Sequence, residues 1–146
     1  MSTLAEILKA KSGMKVRSVS PTQTVMQAVA LMNDYGIGAL VVEHRGQMAG
    51  IFTERDILRR VLAEGRNPDK TLVLDVMTAD VVSCSPETLI ADVRSLMRDR
   101  RIRHVPVVDE SGNIAGIVSI GDLNAYISDS QESTIHSLHE YLHGRS

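Results

Sequence analysis

Gly50-Ile51-Phe52-Thr53-Glu54-Arg55-Asp56 is followed, 66 residues later, by Gly116-Ile117-Val118-Ser119-Ile120-Gly121-Asp122. In both stretches a short apolar run gives way to a hydroxyl residue, and a carboxylate stands three positions after it. The apolar run reads as a strand, and the hydroxyl-to-acid spacing reads as the start of a helix. Two strand-to-helix junctions of one design predict a duplicated unit.

The duplication extends outward from these junctions. Upstream, Val16-Arg17-Ser18-Val19-Ser20-Pro21 corresponds to Val81-Val82-Ser83-Cys84-Ser85-Pro86 at an offset of 65, which also pairs Leu31-Met32 with Leu96-Met97 and Ile37 with Ile102. One extra residue between Asp109 and Ser111 moves the offset to 66, pairing Gly46 with Gly112 and Ala49 with Ala115. That insertion falls in a turn, where chain length is free to vary.

Each unit repeats one order of apolar periods. Val16 to Val19 predicts a short strand, and Val25, Ala28, Val29 and Met32 recur at helical spacing, as do Ile90, Val93 and Met97. Leu40 to Val42, a turn over His44 to Gln47, and Ile51-Phe52 predict a hairpin. Ile57, Leu58, Val61 and Leu62, matched by Leu123, Tyr126 and Ile127, predict a closing helix. The fold class is therefore α+β, with two strand-helix-strand-strand-helix repeats. Neither repeat of roughly 50 residues buries enough apolar surface alone, so the two are expected to pack about a pseudo-twofold axis.

The chain is read as one module over 1–146, with repeats at 16–63 and 79–128. Glu64 to Lys70 is a polar connector, and Leu72 to Thr78 leads into the second repeat. Short terminal helices are expected at Leu4 to Lys11 and, within 129–146, at Thr134 to Leu142.

Composition narrows the function classes. Apolar residues make up 43% of the chain but aromatics only 3%, with no Trp, so the core must be aliphatic and few rings exist to stack bases. A net charge of −2 gives no electrostatic footprint for nucleic acid or an anionic membrane. The single cysteine, Cys84, forms no internal disulfide, and the N-terminus lacks the apolar core of a secretory signal. A cytoplasmic protein is expected.

The order of elements, the duplication, the segments GIFTERD and GIVSIGD, RHVPVVD over Arg103 to Asp109, and DVMT before the second repeat together resemble a tandem pair of cystathionine β-synthase (CBS) domains. The resemblance spans about Val16 to Ile127, and with no attached enzyme or channel the chain is similar to stand-alone bacterial CBS-pair proteins, also called Bateman modules. It implies a regulatory, signal-transducing module whose cleft binds AMP, ADP, ATP or NAD(H), and which requires no metal. It also implies a homodimer; a row carrying Met26, Met32 or Met97 is the expected surface for the second copy.

Carried over residue by residue, the resemblance makes Asp56 and Asp122 the ribose-binding acids, with Thr53 and Ser119 contacting sugar or phosphate and Arg55 beside them. The backbone around Gly13, Met14 and Val16, and around Thr78, Ala79 and Val81, would meet the adenine edge. Apolar walls would come from Ile37, Gly38, Ala39 and on to Val41, and from Ile102 to Pro106, including Val105. Asp56 is expected to face Thr78 and Arg103, and Asp122 to face Gly13 and Gly38. Arg101, Arg103 and His104 stand where the first repeat has Gly36, Gly38 and Ala39, so one cleft alone is expected to offer cations for phosphate.

Spacing alone leaves a simpler reading open. Thr53 with Asp56, and Ser119 with Asp122, are also N-capping boxes that need no ligand. Arg98 and Arg100 fit the solvated end of a helix, where cations favour the dipole. His139-Glu140-Tyr141-Leu142-His143 spells the zinc-protease motif HExxH, but nothing downstream supplies a third ligand or a substrate cleft, so no metal site is read there. No catalytic residue is assigned. Besides the nucleotide sensor, two further readings stand: a ligand-free dimerising scaffold for an unknown protein target, and, with less support, a nucleic-acid module using the arginines.

Overall fold

The computed structural model describes residues 1–11 and 16–129. Gly13, Met14 and the C-terminal segment with its HExxH lie outside the described residues. The chain opens with α1 (Leu4–Ala10) and enters the first repeat through β1 (Ser18–Val19), α2 (Val25–Tyr35), β2 (Ala39–His44) and β3 (Gln47–Thr53). A single turn, α3 (Glu54–Asp56), continues as a π-helical stretch, Ile57–Leu62. After the connector come α4 (Val73–Val76), α5 (Ile90–Arg100), β4 (His104–Val108), β5 (Ile114–Ser119) and the helical residues 120–129, here α6.

Local chemistry explains these boundaries. Thr24 and Gln27 form a reciprocal capping box that starts α2, and Gly36, at φ 62°, closes it in the left-handed conformation. α5 ends the same way, except that Arg101 takes the left-handed position at φ 55°. Arg45 and Gly46, at φ 53° and 79°, make the two-residue turn between β2 and β3, as the hairpin reading requires.

β1 runs parallel to β2, which pairs antiparallel with β3. β4 and β5 form a second antiparallel pair. The expected second copy of β1 is reduced to one parallel bridge, Cys84 to Val107, in the same register as Val19 to Val42. Two separate cores result. Val19, Val25, Ala28, Met32, Leu40, Val42, Phe52 and Val61 build the first, and Ile90, Val93, Met97, Val105, Val107, Val118 and Leu123 build the second.

Each core is completed by the arm that precedes the other repeat. Leu4 and Ile7 of α1 enter the second core, whereas Val73 and Val76 of α4 enter the first. Equivalent backbone bonds fix both arms: Leu4 N–H to Thr88 O (2.9 Å) and Ile90 N–H to Ser2 O (3.0 Å) on one side, Val73 N–H to Gln23 O (2.9 Å) and Val25 N–H to Thr71 O (2.8 Å) on the other. This exchange relates the repeats by a pseudo-twofold axis. The segment Leu72 to Thr78 thus belongs structurally to the first core although it leads into the second repeat.

Two expectations about apolar residues need correction. Met32 and Met97 are 5% and 2% exposed, so they fill the two cores and offer nothing to a second copy; only Met26, at 41%, remains at the surface. In the closing helix of the first repeat, Ile57 and Val61 pack on the core, whereas Leu58 and Leu62 are exposed.

Close approach of the arms limits the glycines at the strand crossings. A Cβ on Gly50 would stand 2.5 Å from the Thr78 carbonyl oxygen, which is fixed by the Ile51 N–H (2.9 Å). At Gly116 it would meet only the end of the Leu8 side chain, which can rotate away. Gly50→Ala is expected to cost about 1–3 kcal/mol and Gly116→Ala under about 1 kcal/mol, measured by urea unfolding; equal losses would contradict this packing.

Candidate functional site

Both strand-to-helix junctions form complete capping boxes. Asp56 Oδ2 accepts from Thr53 N–H (3.0 Å) and the Thr53 hydroxyl (3.3 Å), and the Asp56 N–H donates to Thr53 Oγ1 (3.4 Å). Asp122 Oδ2 accepts from Ser119 N–H (2.8 Å), and the Asp122 N–H donates to Ser119 Oγ (3.0 Å). The cap reading is therefore correct, and it uses the same oxygen of each carboxylate. It does not exhaust them.

The other oxygen of Asp56 reaches across to the lead-in of the second repeat. Thr78 Oγ1 donates to Asp56 Oδ1 (3.0 Å), while Thr78 N–H and C=O pair with Ile51 O and N–H (each 2.9 Å). Arg60, one turn on, places Nε 3.7 Å from Asp56 Oδ1 and donates from Nη1 to Met77 O (2.8 Å). This network compensates a carboxylate that is only 5% exposed. The expected meeting of Asp56 with Thr78 is present.

Asp122 is more open and meets a residue that the sequence reading did not single out. Lys11, capping the end of α1, donates from Nζ to Asp122 Oδ2 and to Ile117 O, each at 2.9 Å. Burial pushes the Asp122 carboxyl up, but the Lys11 ammonium and the Ser119 hydrogen bonds outweigh it and hold the pKa below the usual carboxylate range.

Gly38 and His104 lie between the junctions. A Cβ on Gly38 would clash with the Glu54 carboxylate and approach His104 Cε1 to 3.3 Å, so glycine leaves room for both. One backbone bond ties each strand start to the following helix, Glu54 N–H to Gly38 O (3.1 Å) and Ile120 N–H to Arg103 O (2.8 Å). Arg55 Nη1 crosses to Arg101 O (2.5 Å). Burial pulls the His104 pKa below the ordinary histidine value, a shift that the Glu54 and Asp122 carboxylates oppose and that Arg103 and Lys11 reinforce.

The remaining predicted residues divide. Ala39, Val105 and Pro106 are buried in the strands, Ile37 and Ile102 half-buried, and Ala79 exposed beside Val81, whose N–H donates to Ala79 O (3.1 Å). Val16 and Val41 line a small pocket of about 280 Å³ with Asn113 and Ile114 of the second repeat. Arg101 and Arg103 line a larger groove of about 1140 Å³ between α5 and α6, together with Arg94, Arg98 and Tyr126. Neither Asp56 nor Asp122 lines that groove. Among the described residues no group of three metal-ligating side chains occurs, and no helix is long and apolar enough to cross a membrane.

This duplicated strand-helix-strand-strand-helix architecture defines a pair of CBS repeats. The CBS domain family model matches residues 4–63 and 73–129, and the chain belongs to that family. It is 37% identical over 132 residues to the CBS domain-containing protein YhcV of Bacillus subtilis, covering 88% of this chain and 93% of the relative. A structure described as a putative signal-transduction protein with CBS domains, from Burkholderia ambifaria, is 40% identical at a TM-score of 0.82, covering 86% of this chain and 93% of its own. The same fold is found in the Pyrobaculum aerophilum CBS domain protein PAE2072 complexed with AMP, 24% identical at a TM-score of 0.73 with 83% and 89% of the two chains covered.

His104 makes stability pH-dependent with a defined sign. The unfolded chain takes up a proton near pH 6.5, whereas the folded chain resists it, so stability present above about pH 6.5 is lost as the pH falls. Urea midpoints measured from pH 8 to 5.5 should decline, and His104→Gln should flatten part of that decline; an unchanged slope would remove His104 as its source.

Proposed function

We propose that this chain is an adenosyl-nucleotide sensor, with AMP, ADP, ATP or NAD(H) as the candidate ligands and with no catalytic step of its own. One observation carries the reading. Each carboxylate that caps a helix in one repeat is also bonded to a residue of the arm that leads into the other repeat, Asp56 to Thr78 and Asp122 to Lys11. A ribose diol donating to either carboxylate competes with an arm contact, so binding and repeat packing draw on the same groups. A ligand shifts packing only through such differential contacts.

The AMP held by the Pyrobaculum protein supports the ligand class, because that protein has the same fold. The hydroxyl and carboxylate at each junction supply an acceptor pair suited to a ribose, strengthened by the charge of the carboxylate. His104, near Glu54 and Asp122, is a group whose protonation would respond to a phosphate placed beside it. We further propose a homodimer in the cytoplasm, since Met26, Leu58 and Leu62 leave apolar surface on the first repeat for a second copy to cover.

Calorimetric titration of AMP, ADP, ATP and NADH into the full chain tests the sensor. Asp56→Asn and Asp122→Asn should each remove one site or weaken it about tenfold or more, the range of a lost charge-assisted hydrogen bond. Absence of heat from all four ligands would transfer the assignment to the ligand-free scaffold.

A further inference from the structure

Equivalent acceptors in the two clefts are satisfied in different ways. At the first junction, Ile51 O accepts from the Thr78 N–H and Asp56 Oδ1 from the Thr78 hydroxyl, both donors belonging to one neutral linker residue. At the second, Ile117 O and Asp122 Oδ2 both accept from the Lys11 ammonium. One flexible side chain therefore reaches both acceptors that, at the first junction, a backbone amide and a hydroxyl reach. The arms also differ in length: Leu4 precedes Pro21 by 17 positions, whereas Val73 precedes Pro86 by 13.

The Lys11 contact is exchangeable in a way that the Thr78 contact is not. Lys11 and Asp122 are 30% and 27% exposed, and the ammonium ends a four-carbon stem with free rotation. A vicinal diol that bridges a carboxylate donates to both oxygens, yet Asp122 Oδ2 already receives Lys11 Nζ and the Ser119 N–H. The cation beside Asp56 differs: Arg60 stands farther off at 3.7 Å and is anchored to Met77 O.

Resting on the adenosyl reading above, we propose that Lys11 is a built-in, displaceable competitor for the Asp122 cleft, lowering its affinity for ribose and linking its occupation to the end of α1. Among the described residues the Asp56 cleft has no such displaceable ammonium. A partly exposed ion pair of this kind shifts a binding equilibrium by about two- to fivefold.

Adenosine, which is uncharged, is the appropriate probe because Lys11 gains nothing from attraction to phosphate. Titration followed by NMR separates the clefts, since the Ser119 amide reports on Asp122 and the Thr53 amide on Asp56. Lys11→Met should tighten the Ser119 titration about two- to fivefold and leave that of Thr53 unchanged, while Lys11→Arg, which keeps the charge, should not tighten it. Lys11→Gln serves if the methionine variant does not fold. Equal or weaker binding in the uncharged variants overturns the proposal. Asp122→Asn distinguishes the two levels: if it abolishes the Ser119 titration while Lys11→Met has no effect, only the competition fails, whereas a titration indifferent to Asp122→Asn removes the ribose reading and the competitor with it.

Discussion

The exchange of arms between the repeats is the constraint on which the structure depends. Each sheet and its long helix leave an apolar face that their own repeat does not close, and the missing side chains, Leu4 and Ile7 or Val73 and Val76, arrive from the segment ahead of the opposite repeat. Burial of a full Leu or Val side chain contributes roughly 1.5–3 kcal/mol, so two such residues per arm are a large share of the stability of so small a unit. Backbone bonds then fix the direction in which each arm lies, because its first amides find acceptors at the start of the facing helix. Hydrophobic burial supplies the energy and main-chain pairing supplies the register.

The same crossing creates the clefts. Once α1 is docked on the second repeat, Lys11 at its C-cap arrives at Asp122; once α4 is docked on the first, Thr78 arrives at Asp56. A capping carboxylate has two oxygens, and holding the helix start uses one. Capping and recognition are therefore compatible roles for one side chain, and the choice between them that spacing seemed to demand dissolves in three dimensions.

Much of the fold was legible because its signals are local. The period change from Val25 through Phe52, the Arg45-Gly46 turn and the paired junctions each follow from a few adjacent residues. The arms were not legible in this sense: four residues such as Val73-Leu74-Asp75-Val76 declare an apolar face but not which core receives it. Lys11 escaped notice for the related reason that aligning the repeats sets Gly13, not Lys11, opposite Thr78. A lysine at the end of a short helix also has an ordinary explanation in the helix dipole. Met32 and Met97 were misjudged because an amphipathic helix shows its stripe but not its depth, and a thioether fills a core gap as readily as it faces a partner. The arginines were read by their place in a motif; Arg101 takes the left-handed position that ends α5 and lines one groove with Arg103.

The crossed arms carry an implication for ancestry. A primordial chain holding one repeat and one arm would have had an open core that its own arm, directed elsewhere, left unfilled. Two such chains trading arms would have closed both cores at once, in a symmetric pair of identical molecules. Joining two such copies in one chain would make that exchange between molecules permanent within one. Within one chain the two halves need not be identical, and the lysine at Asp122 with the threonine at Asp56 shows that they are not.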